Sequence, residues 1–170
     1  MGTLLGSLED FVELLRANKI DKLIDIRSFP SSRKYPQFNK ESLATSLPQH
    51  GIMYEHKVDL GGRRKVQKDS KNNRWHNKSF RGYADYMETD KFEDAIRDLE
   101  ETASQTRVAI MCSEAVWWRC HRSMVADYLK AKGWDVEHIM TINKTEEHPY
   151  TSPAIVVGNK VIYHDKELFD

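Results

Sequence analysis

Apolar positions spaced three and four apart open the chain and recur between shorter apolar runs. Ser7 followed by Asp10 resembles a capping box with a shorter acid, and Leu8, Phe11, Val12 and Leu15 fall at i, i+3, i+4 and i+7, which predicts a helix over 8–18. Leu23-Ile-Asp-Ile26 reads as a strand, closed by the turn-rich Ser28-Phe-Pro-Ser-Ser-Arg33. Asn39 is placed to cap a short helix through Leu43 and Leu47 that ends near Pro48, and 52–56 alternates as a second strand. Gly61-Gly62 breaks the chain, and no usable periodicity follows until about Lys78. Asp90 with Glu93 makes another capping box ahead of Phe92, Ile96 and Leu99. The run 108–112 is a strand, 121–132 a helix stopped by Gly133, and 135–140 a strand. Residues 155–163 carry a Gly158-Asn159 pair that predicts a two-residue β-hairpin. Strands alternating with helices imply parallel pairing and right-handed crossovers. The expected fold is therefore an α/β three-layer sandwich with a mainly parallel sheet and a C-terminal β-hairpin.

Composition narrows the class. A chain of 170 residues, 39% hydrophobic and 31% charged, is a single globular domain over 1–170 with a real core. No apolar stretch approaches the roughly 18 residues of a membrane span. The start Met1-Gly-Thr-Leu-Leu5 has no signal-peptide pattern, so no membrane partner and a cytoplasmic location are expected. Two cysteines seven residues apart, with His121 and Arg122 following, are not a secreted disulfide framework and are expected to be reduced.

Charge changes the picture further. The formal net charge is zero, yet nine basic residues between Lys57 and Arg81 face only Asp59 and Asp69, giving that segment about +7. The stretch from Asp85 to Glu101 is acidic. The long basic loop over 61–80 is therefore expected to be mobile without ligand and to meet an anionic partner, a phosphate-containing small molecule or nucleic acid. Trp75 in that loop is a candidate stacking surface. A solvated charged face with no ligand is the plain alternative.

The candidate chemistry sits in Met111-Cys-Ser-Glu-Ala-Val-Trp-Trp-Arg-Cys-His-Arg-Ser123, a strand-to-helix connection where backbone N–H groups and the helix dipole favour negative charge. In open parallel sheets, ligands bind beyond the carboxyl ends of the strands. If 23–26 and 108–111 are neighbours, one crevice gathers Asp25, Arg27, Ser28, Cys112 and Glu114, with Arg119, Cys120, His121 and Arg122 on its rim. Adjacent arginines favour thiolate over thiol, making Cys112 or Cys120 a candidate nucleophile. Glu114 and Asp25 are candidate general acid/base groups, and Arg27, Ser28, Arg63, Arg119, His121 and Arg122, with Trp75, are candidates to hold an anion. A tyrosine-phosphatase loop is a poor match because its arginine position is Trp118, and a rhodanese-like sulfur carrier is matched only by loop placement. Zinc is a third option, with Cys112, Cys120 and His121 joined by His56, His76 or Asp25, although Cys-x7-Cys-His fits no standard finger. The alternatives to a cysteine enzyme are a noncatalytic nucleic-acid-binding module and a zinc-stabilised domain. The sequence leaves the cofactor open.

The chain resembles the family called domain of unknown function 488. The resemblance rests on Asp25-Ile-Arg27 with Pro30-x-Ser-Arg33, Phe38-Asn39, Gly51-Ile-x-Tyr54, Leu60-Gly-Gly-Arg63, Arg81-Gly-Tyr-Ala-Asp-Tyr-Met87, Met111-Cys-x-Glu114 and Cys120-His-Arg-Ser123. It implies an α/β fold and an enzymatic or nucleic-acid-related role without an established reaction. One departure stands out: where the family starts with a strand ending in a Gly-His-Ser-like motif, this chain reads Met1-Gly-Thr-Leu-Leu-Gly-Ser7, so a first strand is expected to be shortened or missing.

Overall fold

The computed structural model describes residues 6–166, so most of the atypical start lies outside the described residues. Helix α1 (Leu8–Ala17) begins where the capping pattern puts it: the Ser7 hydroxyl accepts the Asp10 N–H at 3.1 Å, and Phe11, Val12, Leu14 and Leu15 are buried. There follow β1 (Lys22–Asp25), α2 (Lys40–Gln49), β2 (Met53–His56), α3 (Lys78–Tyr86), α4 (Asp90–Gln105), β3 (Val108–Met111) and α5 (Arg122–Ala131). Two strand pairs close the described chain, β4 (Glu137–Thr141) with β5 (Lys144–Glu147), and β6 (Ile155–Val157) with β7 (Lys160–Ile162).

Strand β1 lies between β2 and β3 and is parallel to both. Successive side chains on a strand point to opposite faces, so this small sheet builds two cores. Leu23, Ala109 and Met111 pack with Phe11 and Leu15 of α1 and with Leu43 and Leu47 of α2. Ile24 packs with Tyr83 of α3, Phe92 and Ile96 of α4, and Met124 and Val125 of α5. Helices therefore cover both faces, as an α/β three-layer sandwich requires, and the antiparallel pairs are added at the C-terminal end.

Local details differ from the sequence pattern in instructive ways. The cap of α4 is Thr89, whose hydroxyl accepts from Phe92 N, rather than Asp90. Asn39 precedes α2 but turns its side-chain oxygen to the Ser32 N–H at 2.6 Å, bracing the turn after β1 instead of capping the helix. Strand β4 does not join the parallel sheet; it folds back on β5, a strand the highly charged sequence Lys144-Thr-Glu-Glu147 does not announce. The hairpin at Gly158-Asn159 forms as expected, with Gly158 at φ +63. None of the helices among the described residues is long and apolar enough to cross a membrane.

The segment 61–77 has no regular structure, in keeping with its missing periodicity. Where mobility was expected, the segment has fixed partners on buried Asp85 of α3. Its carboxylate accepts from Gln67 N at 2.8 Å, Ser70 Oγ at 2.6 Å and Asn72 Nδ2 at 2.7 Å. The loop then crosses α3 at Gly82, where an added Cβ would stand 2.0 Å from the Arg64 carbonyl oxygen. Neither backbone can give way cheaply, so Gly82→Ala is expected to destabilise by about 1–3 kcal/mol or more, read from the denaturation midpoint. An unchanged midpoint would mean that the loop does not rest on α3.

Candidate functional site

The parallel pairing sets Asp25 opposite Met111, so both strands deliver their terminal residues to one end of the sheet. They do not deliver them to one face. Asp25 follows the alternation of Leu23, toward α1 and α2, whereas Cys112 is one residue beyond Met111 and packs in the core under α3 to α5. The single crevice expected from Asp25, Arg27, Cys112, Glu114 and Arg122 thus divides into two clusters back to back.

The first cluster is a closed ion pair. Arg27 donates through Nε and Nη2 to the two oxygens of Asp25 at 2.9 and 2.7 Å, and Nη2 also reaches the Phe38 carbonyl at 2.7 Å. The Tyr54 hydroxyl donates to Asp25 at 2.5 Å, and burial together with that carboxylate pushes the phenol well above its ordinary range. Asp25 is 0% exposed and Arg27 5%. Asp25, expected as an acid/base group, and Arg27, expected as an anion holder, are thus engaged with each other in a buried ion pair. His56 accompanies them, with Nε2 at 2.6 Å from the Arg27 carbonyl, and so does not approach the cysteines as a metal ligand.

The second cluster joins the two thiols. His121, which precedes α5, sets Nε2 at 3.1 Å from the Leu60 carbonyl; since a carbonyl only accepts, Nε2 carries the proton. Nδ1 then faces Cys112 Sγ and Cys120 Sγ, each at 3.8 Å. Both cysteines are buried and unbridged. The backbone N–H of Arg122 reaches Cys120 Sγ at 3.4 Å. The loop 61–62 closes the site from above: the Ser28 hydroxyl donates to the Gly62 carbonyl at 2.8 Å, and an added Cβ at Gly62 would meet His121 Nδ1 at 2.9 Å. Glycine there is what permits the loop to lie directly on the imidazole.

Burial alone would raise both thiol pKa values, yet the two move apart. The hydrogen bond from Cys120, opposed by burial and reinforced by His121, lowers Cys112 to about 4, while burial and the charge of Cys112 push Cys120 far up. Cys112 is thereby made the more acidic of the two thiols. Arg122 lies near both; Nη1 and Nη2 hold the Glu114 and Ala115 carbonyls at 2.9 and 3.4 Å, which fixes the loop between the cysteines.

The other expected residues are distributed around this pair. Glu114 and Arg119 are exposed on the loop 113–119. Arg63 is exposed, adopts φ +61, and lies over the exposed ring of Phe29, one residue beyond the glycine that covers His121. Trp75 is not with them: it packs against Phe80 and Tyr163 at 5.0 and 5.7 Å, so its ring serves the core rather than a stacking platform, and His76 is exposed beside it. Among the described residues, the cluster suited to a metal is Cys112, Cys120 and His121, whose ligand atoms lie within 4.8 Å of one another.

Sequence reasoning missed helix α3 with its Asp85 anchor, and a buried polar chain through Asp127, His148 and His138. A signal for the latter existed. Asp127 interrupts the apolar stripe of Met124, Val125 and Leu129 on α5, and a carboxylate on a buried helix face needs partners.

A model of the family described as "Domain of unknown function DUF488" matches residues 7–129. Comparison with curated proteins gives no match, and comparison with solved structures gives none either. The matched segment takes in the sheet, both clusters and most of α5; β4 to β7 follow it.

Proposed function

The chain belongs to the DUF488 family, and from that premise we propose that it is a cysteine enzyme acting on an electrophilic centre of a phosphate-containing substrate. The observation that carries this reading is the Cys112/Cys120/His121 arrangement, in which two buried sulfurs each lie 3.8 Å from one imidazole nitrogen. Cys112 is the nucleophile, Cys120 donates to it, and His121, oriented by its Nε2–H on the Leu60 carbonyl, passes a proton to or from the reacting group through Nδ1. Arg63 and Arg119, exposed on the two loops that border the thiols, meet the anionic part of the substrate. Protection of Cys112 from iodoacetamide tests the whole. Adenosine monophosphate or a short oligothymidylate should slow alkylation at low salt, and less so as salt rises or in Arg63→Glu and Arg119→Glu. Alkylation unaffected by either anion removes the phosphate-containing substrate. Oligothymidylate binding that survives Cys112→Ser, without protection of Cys112, favours the noncatalytic nucleic-acid module.

A zinc reading is favoured by one specific observation. Two sulfurs and a lone-pair nitrogen converge, and the imidazole is oriented from behind by a carbonyl, which is how a zinc-binding histidine is held; three protein ligands would leave a fourth position open. Elemental analysis of the purified protein decides: about one zinc per chain, lost in Cys120→Ala, supports it, and metal-free folded protein rejects it.

A further inference from the structure

The chain's two cysteines, Cys112 at the end of β3 and Cys120 ahead of α5, are 4% and 2% exposed and unbridged. Their sulfurs lie within 4.8 Å of each other. A disulfide needs about 2.05 Å between sulfurs, so less than about 3 Å separates the reduced pair from a bond. One step between staggered χ1 wells swings a cysteine sulfur through about 3 Å, so side-chain rotation covers the remaining distance. The residues between the cysteines are folded back by Arg122, whose guanidinium holds the Glu114 and Ala115 carbonyls. The two sulfurs are thereby kept close rather than left to meet by chance.

Burial decides which oxidants and which partners matter. The cover over the imidazole is backbone alone at Gly62, and His121 itself is half-buried. Hydrogen peroxide is little larger than water and is small enough to enter such a site. Glutathione, or the sulfur of a second chain, must bring its own bulk against sulfurs that are almost fully covered. Oxidation is therefore steered toward the one thiol within reach, that of the other cysteine. The hydrogen bond from Cys120 lowers the Cys112 pKa against the effect of burial, and the Arg122 guanidinium lies near both sulfurs, so Cys112 is the one that meets the oxidant first.

We propose that Cys112 and Cys120 form a reversible dithiol–disulfide site whose oxidising substrate is a small hydroperoxide. The Cys112 sulfur attacks a peroxide oxygen, the O–O bond breaks, and a sulfenic acid and one water form. The Cys120 sulfur then displaces the hydroxyl from Cys112, and its proton leaves with that hydroxyl as a second water. Two thiols and one peroxide thus give one disulfide and two waters, the sulfurs giving up two electrons and the peroxide oxygens taking them. His121 Nδ1, 3.8 Å from each sulfur, is placed to carry the proton between them. A dithiol such as dithiothreitol returns the two thiols and itself becomes the disulfide. The step uses the sulfurs of the cysteine-enzyme reading but none of its phosphate-containing substrate, and in the disulfide the nucleophile is consumed, so oxidation switches that activity off.

The test is stoichiometric hydrogen peroxide on the chelator-treated full chain, followed by intact mass, thiol titration after denaturation and a non-reducing gel. Expected are a monomer two hydrogens lighter, titratable thiols falling from two to none, loss of iodoacetamide reactivity at Cys112, and recovery of the original mass, thiols and reactivity with dithiothreitol. In Cys120→Ala the reaction should stop at the Cys112 sulfenic acid, trapped by dimedone; if that variant does not fold, the mass and thiol count of the unaltered chain decide. A chain that gains oxygen without losing hydrogen, thiols untouched by peroxide that oxidises free cysteine, or a disulfide-linked dimer overturns the proposal. A chain that forms no disulfide while adenosine monophosphate protects its Cys112 keeps the cysteine enzyme and loses the redox site; a chain that forms the disulfide without such protection does the reverse.

Discussion

Alkylation of Cys112 in chelator-treated protein is expected to change less than twofold between about pH 5 and pH 8, an interval over which a model thiol of pKa about 8.5 accelerates several hundredfold. The sign follows from the depressed pKa. Cys112 is ionised above about 4, so raising the pH across this window creates no additional nucleophile. Absolute rate is the poorer measure. At pH 6 ionisation favours Cys112 over the model thiol by about 300-fold, but the lower basicity reduces intrinsic nucleophilicity by about 100-fold, and the two nearly cancel. The shape of the profile carries the information. Cys120→Ala removes the largest cause of the lowering, so the plateau should begin at a higher pH. Cys112→Ser should leave only slow, pH-dependent reaction, because burial, the largest cause of the raised Cys120 pKa, persists when Cys112 is gone. A wild-type rate that climbs with pH like a free thiol would remove the nucleophile and leave the metal and binding readings.

Asp25→Ala is expected to cost about 3–5 kcal/mol of folding stability, the range for removing one partner of a buried charge pair. It would leave the Arg27 guanidinium buried, holding only the Phe38 carbonyl, with the Tyr54 hydroxyl unpaired. Tyr54→Phe removes a single hydrogen bond and should cost about 1 kcal/mol by comparison. Urea unfolding measures both. Because Asp25 faces the opposite side of the sheet from the thiols, the Cys112 alkylation profile of the folded Asp25→Ala variant should match wild type. A large stability loss together with a displaced profile would show the two clusters to be one site after all; a loss below 1 kcal/mol would show that the pair is not closed.

What the sequence determined by itself is whatever depends on neighbours along the chain. Ser7 and the i, i+3, i+4 spacing placed α1, the apolar run before Cys112 placed β3, Gly158-Asn159 placed the last hairpin, and the alternation of elements implied the α/β class. Cys112, Cys120, His121 and Arg122 were legible as a group because they fall within eleven residues of chain, and the tertiary structure then brought the two sulfurs to one imidazole. The tertiary structure alone decided the rest. The apolar runs placed Asp25 and Cys112 at strand ends, but that the strands are neighbours, and the register that turns one residue to each face, depend on which residues pair, and a shift of one residue reverses the answer. Composition made the basic loop appear free, while a single carboxylate on α3, unrecognised as a helix, anchors it through groups 13 to 18 residues away. Asp127, His148 and His138 are separated by up to 21 residues and carry no common motif. Only folding gives them a shared, dry environment, and there a buried carboxylate must find donors; that requirement assembled the chain of imidazoles.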